Sequence, residues 1–269
     1  MRPDSASHLR HLRADSARFR AVLADCDPAA RVPACPDWDA ADLLWHLADV
    51  QWFWSDVVRR RPDGPPDDDR RPARADTWPG LLEQYDELSA GLVDALAAAD
   101  PDEPAWSWAG HVPDGQTVGF TFRRQSHEAL VHRLDAEQTA GVEPTPLDPA
   151  LAADGVAELL EVMYGGAAPS WARFTPITAP VRIDLADVDR SIWVQPGTLV
   201  GTDPDSGRGL DGPHLVVVDD PGLEPAAIVS GTAADLDVAW WKRGAGAVRR
   251  TGDRAALDAL AAALDPPLD

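Results

Sequence analysis

Residues 123–141 read RRQSHEALVHRLDAEQTAG, and the fold is decided by how this stretch is read. Leu130, Val131 and Leu134 recur at helical spacing and Gly141 offers a C-terminal stop, so a helix is predicted from near Thr121 to about Thr139. On that helix Glu128 and His132 stand four residues apart, one turn above the other on a single face. His127 and His132, five apart, diverge by about 140° and are not placed to share a ligand. A carboxylate oxygen and an imidazole nitrogen at i, i+4 can reach one ion. Arg124 and Asp135 extend this polar stripe.

Toward the N-terminus the pattern stays helical. Leu9, Leu12, Phe19, Val22 and Leu23 predict a first helix that ends before Pro28. The turn-like RVPACPDW (31–38) follows, with Asp37 and Asp39 as candidate N-caps of a second helix to about Arg60. Its apolar face reads Leu43, Leu47, Val50, Phe53 or Trp54, and Val57. His46 lies in the row of Leu43, Val50 and Phe53, so its imidazole is expected to point inward. RPDGPPDDDRRPARAD (61–76) has the composition of an exposed loop, and a third helix is expected over Pro79 to Ala99. Four helices of this length predict an antiparallel four-helix bundle over residues 1–145.

Past GVEPTPLDP the pattern changes, and residues 146–269 are read as a small α+β domain. A helix from Leu151 to Tyr164 precedes strands at Val181–Leu185, Ser191–Val194, His214–Val218 and Ala226–Val229. Helices are expected at Ala233–Trp241 and Arg254–Leu264, and no internal repeat is present. The fold class is therefore α+β.

A bundle interior is where side chains of different helices converge on a metal. His46, Glu128 and His132 would supply three ligands of borderline hardness and leave a coordination position open, the arrangement of a catalytic zinc site. Spacing alone also fits a solvated i, i+4 pair and a hydrogen-bonded core histidine.

Composition narrows the partners. The 45 acidic residues against 24 basic give a net charge of −21, which repels nucleic-acid phosphates and anionic membranes. No stretch resembles a signal h-region or approaches the ~18 apolar residues of a membrane span, so a cytoplasmic protein is expected. Cys26 and Cys35, nine apart, form neither a disulfide framework nor a CxxC site. Trp45, Trp52, Trp54, Trp106 and Trp108, five of eleven tryptophans, fall near the proposed ligands in sequence and either wall an apolar pocket or pack the core.

Two segments, VPACPDWDAADLLWHLADVQWFWSDVV (32–58) and HEALVHRLDAEQTAG (127–141), resemble the signature segments of the mycothiol-dependent maleylpyruvate isomerase family, within the wider DinB/YfiT-like group of four-helix bundles. VSGTAADLDVAWWKRGAG (229–246) is similar, more loosely, to the family's C-terminal segment. The resemblance implies a DinB-like bundle that holds a divalent metal, zinc foremost, through His46, Glu128 and His132. It implies mycothiol or a similar small thiol as cosubstrate, activated for attack on an electrophilic small molecule by an S-transferase or isomerase. A thiol of pKa near 8.5 is mostly protonated at neutral pH, and coordination to a dication removes its proton.

The resemblance further places Arg133, Asp135 and Glu137 against the polar sugar part of the thiol, with helix-surface charge pairing as the alternative. It places Arg243 on the substrate's carboxylate, the alternative being a helix C-terminal charge favoured by the dipole. Cys35, in the V-P-x-C-P-x-W turn, is expected to be a buried structural thiol. The rival readings are a non-catalytic binding or regulatory bundle and a metal-dependent hydrolase. A monomer or homodimer is expected.

Overall fold

The computed structural model describes residues 2–204, 206–266 and 268. It divides into two compact units, one of Pro3–Pro146 and one of Leu147–Asp269 with Met1–Arg2. Among the described residues the fold is mixed α+β, with seven α-helices, a six-stranded sheet and a separate small hairpin.

The Pro3–Pro146 unit contains α1 (Ser5–Ala24), α2 (Ala40–Arg60), α3 (Trp78–Ala97) and α4 (Val118–Thr139). Their bounds follow from capping. Asp39 accepts from the Asp42 backbone N–H while the Asp42 side chain accepts from Asp39 N–H, a reciprocal pair that starts α2. Thr77 caps α3 ahead of Pro79, and Thr117 caps α4, which therefore begins three residues earlier than the apolar pattern suggests. Gly141, with φ of 66°, follows the end of α4 in the left-handed conformation that favours glycine.

In this unit α1 packs on α4 and α2 on α3, with further α2–α4 and α1–α3 contacts. The core joins Phe19, Val22 and Leu23 of α1 to Leu43, Leu44 and Leu47 of α2 and Leu81, Leu82 and Tyr85 of α3. Burying each such side chain contributes about 1.5–3 kcal/mol. Between α1 and α2 the segment read as a turn forms an antiparallel hairpin, β1 (Arg31–Val32) with β2 (Cys35–Asp39). β2 runs directly into the N-cap of α2, which fixes Trp38 one residue before the cap. The 61–76 loop is largely exposed yet tied back, since Arg70, Arg71 and Arg74 reach Asp56, Asp49 and Asp42 of α2.

The second unit begins with α5 (Pro149–Glu158), which passes into a π-helical turn, Leu159–Met163. Its strands are β3 (Ala172–Pro176), β4 (Val181–Leu185), β5 (Arg190–Thr202), β6 (Gly209–Val218), β7 (Ala227–Gly231) and β8 (Arg249–Gly252), with α6 (Ala233–Trp240) and α7 (Arg254–Ala263). The order is β3-β5-β4-β7-β8, with β6 also on β5; β4 and β7 are parallel and the other pairs antiparallel.

β5 is far longer than its expected Ser191–Val194 because Pro196-Gly197 continues the strand instead of turning it. Gly197 pairs with Pro176, and a Cβ there would stand 2.5 Å from the Phe174 ring, so only glycine fits. β3 and β8 were not expected. Both lie at the ends of the strand order, and β8, Arg-Arg-Thr-Gly, is exposed at all four residues and carries no apolar alternation.

Candidate metal centre

Six side chains of the helical unit meet around one point. His46 comes from α2, Trp38 from β2, and Arg124, Glu128, His132 and Asp135 from one face of α4. Glu128 Oε1 lies 3.1 Å from His132 Nε2 and 3.4 Å from His46 Nε2. The two imidazoles meet edge to face with centroids 4.8 Å apart, and the Trp38 ring stands 4.7 Å from that of His46. The side chains of His46 and Glu128 are 25% and 18% exposed, so the cluster opens to one side.

The groups behind this cluster orient it. Asp135, fully buried, lies 2.9 Å from His132 Nδ1, which sets Nδ1 as the protonated nitrogen and turns Nε2 toward Glu128. Arg124 Nη2 donates to Glu128 Oε2 at 2.9 Å and leaves Oε1 facing the imidazoles. Burial alone would raise the Glu128 carboxyl, but hydrogen bonds from His132 and His46 and the charges of His132 and Arg124 outweigh it and hold it well below the usual carboxylate range. Burial likewise pulls the His132 imidazole down, and its bonds to Asp135 and Glu128 with their charges push it up to about 9. Without a metal, His132 and Glu128 are thus an ion pair.

The donor set fits a divalent cation. One ligand atom from each of His46, Glu128 and His132 can be chosen so that all three lie within 4.8 Å of one another. Bonds of about 2.0–2.2 Å in a tetrahedral site put neighbouring donors about 3.3–3.5 Å apart, close to the observed 3.1 and 3.4 Å. Two nitrogens and one oxygen match the borderline hardness of zinc, and the His132 proton on Nε2 is the one a metal would displace.

Residues 9–137 match the family model described as the mycothiol maleylpyruvate isomerase N-terminal domain. These residues are therefore similar to that domain. A comparison with curated protein sequences finds no match. Two solved structures share the fold: the crystal structure of the mycothiol-dependent maleylpyruvate isomerase (TM-score 0.58, 12% identity, 93% of each chain covered) and that of a histidine-to-alanine mutant of it (TM-score 0.57, 12% identity, 93% of each chain covered). The likeness to these structures is one of fold.

The other positions suggested by the resemblance lie in different surroundings. Asp135 acts on His132 from behind and is fully buried. Arg133 and Glu137 lie about 140° and 180° around α4 from Glu128. Arg133, 2% exposed, pairs with Asp15 at 2.8 Å and Glu137 at 3.0 Å and donates to the Thr145 carbonyl at 2.8 Å. Glu137 also accepts from Arg18 and from the backbone and hydroxyl of Thr145. This is a buried network joining α1, α4 and the following loop. Arg243 lies just past α6 in the sheet-bearing unit, where its Nη1 donates to the Trp241 carbonyl at 2.7 Å.

Among the tryptophans, Trp54 is buried against Phe53, Trp106 and Phe120, and Trp108 meets Phe120 edge to face. Trp45 lies under the Arg71 guanidinium. The ring that touches the imidazoles is Trp38, which the sequence reading passed over although it ends the V-P-x-C-P-x-W turn. Cys35 is half-buried rather than buried, because its strand has one open face.

Proposed function

We propose that this chain is a metal-dependent thiol enzyme that activates mycothiol, or a similar small thiol, for attack on an electrophilic small molecule. The convergence of His46, Glu128 and His132, each backed by an orienting group or ring, carries the reading. In it residues 1–145 form a DinB-like four-helix bundle with the metal site, and residues 146–269 form the second domain. A zinc ion held by the three side chains supplies the Lewis acidity that keeps a thiol deprotonated at neutral pH.

The chain's own residues do the rest. Asp135 holds the His132 proton on Nδ1 and frees the Nε2 lone pair. Arg124 fixes the Glu128 carboxylate, and Trp38 limits ring rotation of His46. The open side beside His46 and Glu128 admits the thiol. Its sulfur then bonds to an electrophilic carbon. Retention of that C–S bond gives a thioether and an S-transferase; its cleavage after rearrangement returns the thiol and gives an isomerase. Arg243, through its guanidinium fork, binds a substrate carboxylate in this scheme.

No helix of the described residues is long and apolar enough to cross a membrane. The proposal places the enzyme in the cytoplasm as a monomer or homodimer. Incubation with mycothiol and a panel of electrophiles, maleylpyruvate included, followed by mass spectrometry of small-molecule products, tests it. Thiol adducts or thiol-dependent isomerisation are expected. Ligand binding without turnover would indicate a binding protein, and turnover without thiol a hydrolase.

A further inference from the structure

We propose that a cavity in the sheet-bearing unit, between α7 and the β7-β8 edge of the sheet, binds a small molecule with an apolar body and one carboxylate. This site is separate from the thiol chemistry assigned to the helical unit and does not depend on it.

The cavity follows from what β8 places under α7. Leu257, Leu260 and, at the C-cap, Leu264 recur on one side of that helix at the spacing of a core-facing stripe. Val229 of β7 is buried on the facing side, and its cross-strand partner is Arg250 of β8. Residues directly opposite on an antiparallel pair project from one face, as do residues two apart on a strand. Toward α7, β8 therefore offers an arginine stem at 250 and a glycine at 252, where a branched apolar side chain would fill the space. The result is a cavity of about 180 Å³ walled by Val229, Leu257, Leu260, Leu264 and, from the end of α6, Trp240. An apolar cavity of about 150 Å³ is enough to take up benzene. This one has room for a ring or a branched chain of that size.

Its mouth is open and carries charge. Lys242, Arg250, Ala261 and Asp265 also line the cavity, and all four are exposed. In a chain of net charge −21, two cations against one carboxylate make this opening locally positive. Lys242 Nζ donates to the Leu264 and Asp265 carbonyls at 2.8 and 3.2 Å, which holds the ammonium at the end of α7 with one proton still to donate. The Arg250 stem follows the apolar wall, and its guanidinium has no hydrogen bond or ion pair among the described residues. A guanidinium fork pairs best with a carboxylate, so an occupant whose apolar end fills the cavity meets its counter-charge at the mouth. The same opening disfavours a cationic occupant of equal shape.

The test titrates the full-length protein calorimetrically with 3-phenylpropionate, 3-phenylpropanol and 3-phenylpropylamine, which share one apolar body and differ in the charge of its tail. The carboxylate should bind about tenfold more tightly than the alcohol, and the amine more weakly than either. Arg250→Met, which keeps the stem and removes the fork, should bring the carboxylate down to the affinity of the alcohol at an unchanged melting temperature. Ala261→Phe, which fills the mouth, should weaken both. Arg250→Met decides the matter by itself if Ala261→Phe lowers the melting temperature. A carboxylate that fails to bind at millimolar concentration, that binds no more tightly than the alcohol, or that keeps its affinity in Arg250→Met would overturn the proposal and leave the thiol function standing.

Discussion

Asp135 Oδ2 lies 2.9 Å from His132 Nδ1 at the buried end of the site, three residues along the same helix. The contact is hidden from solvent on the Asp135 side, and it determines which nitrogen His132 presents to Glu128 and His46. A carboxylate in this position raises the basicity of the histidine and fixes its ring.

Asp135→Asn should therefore weaken zinc binding by about 10–100-fold while leaving one zinc per chain at saturation. Competition with a chromogenic chelator measures this. An unchanged affinity would show that His132 is oriented without Asp135.

Replacing His46 by Ala should abolish stoichiometric zinc at little cost to the fold. The ring is a quarter exposed, so the loss of stability should be about 1 kcal/mol or less. Metal analysis with circular dichroism on the same sample gives the answer, and full zinc retention by the variant would remove His46 from the ligand set.

The metal-free protein should lose stability as alkali is added. His132, pushed up to about 9 by Asp135 and Glu128 against the opposing effect of burial, lies above its ordinary value of about 6.5. Its contribution is complete below about pH 6.5 and disappears as pH rises through about 9, a loss of about 3 kcal/mol from this group. Urea melts between pH 6 and pH 10 should show that decline in the unmodified protein, a shallower one in His132→Gln, and a reduced one when zinc replaces the proton on Nε2.

Glu137→Ala should destabilise the helical unit by about 1–3 kcal/mol, since it removes one of the two carboxylates that hold the buried Arg133 guanidinium and the acceptor of Arg18 and Thr145. Zinc content should not change. A variant of normal stability with impaired thiol affinity would instead support the sugar-contact role that the resemblance implied for Arg133 and Glu137.

Much of the first unit was legible from periodicity and caps. The four helices begin and end within a few residues of their expected places, because Leu43, Leu47, Leu81 and Leu92 repeat at helical spacing and Asp39 and Pro79 mark helix starts. In the sheet the legible strands were those with apolar alternation, such as Val181–Leu185. β3 and β8 were missed at the ends of the strand order, where half of the backbone faces no partner strand and exposed Arg249 and Arg250 need no apolar pattern.

The amino-acid order by itself settled which atoms share a face: Glu128, His132 and Asp135 fall on one side of α4 whatever that helix packs against, because 3.6 residues per turn is a local property. Only the tertiary structure could decide that His46 arrives opposite them and that Trp38 flanks it. It alone showed that Arg133 and Glu137, in the same short run, turn away into a buried ion-pair network with α1. Local spacing sets direction around one helix axis, but the distance between two helices depends on which side chains fill the space between them, and that is a property of the packed core.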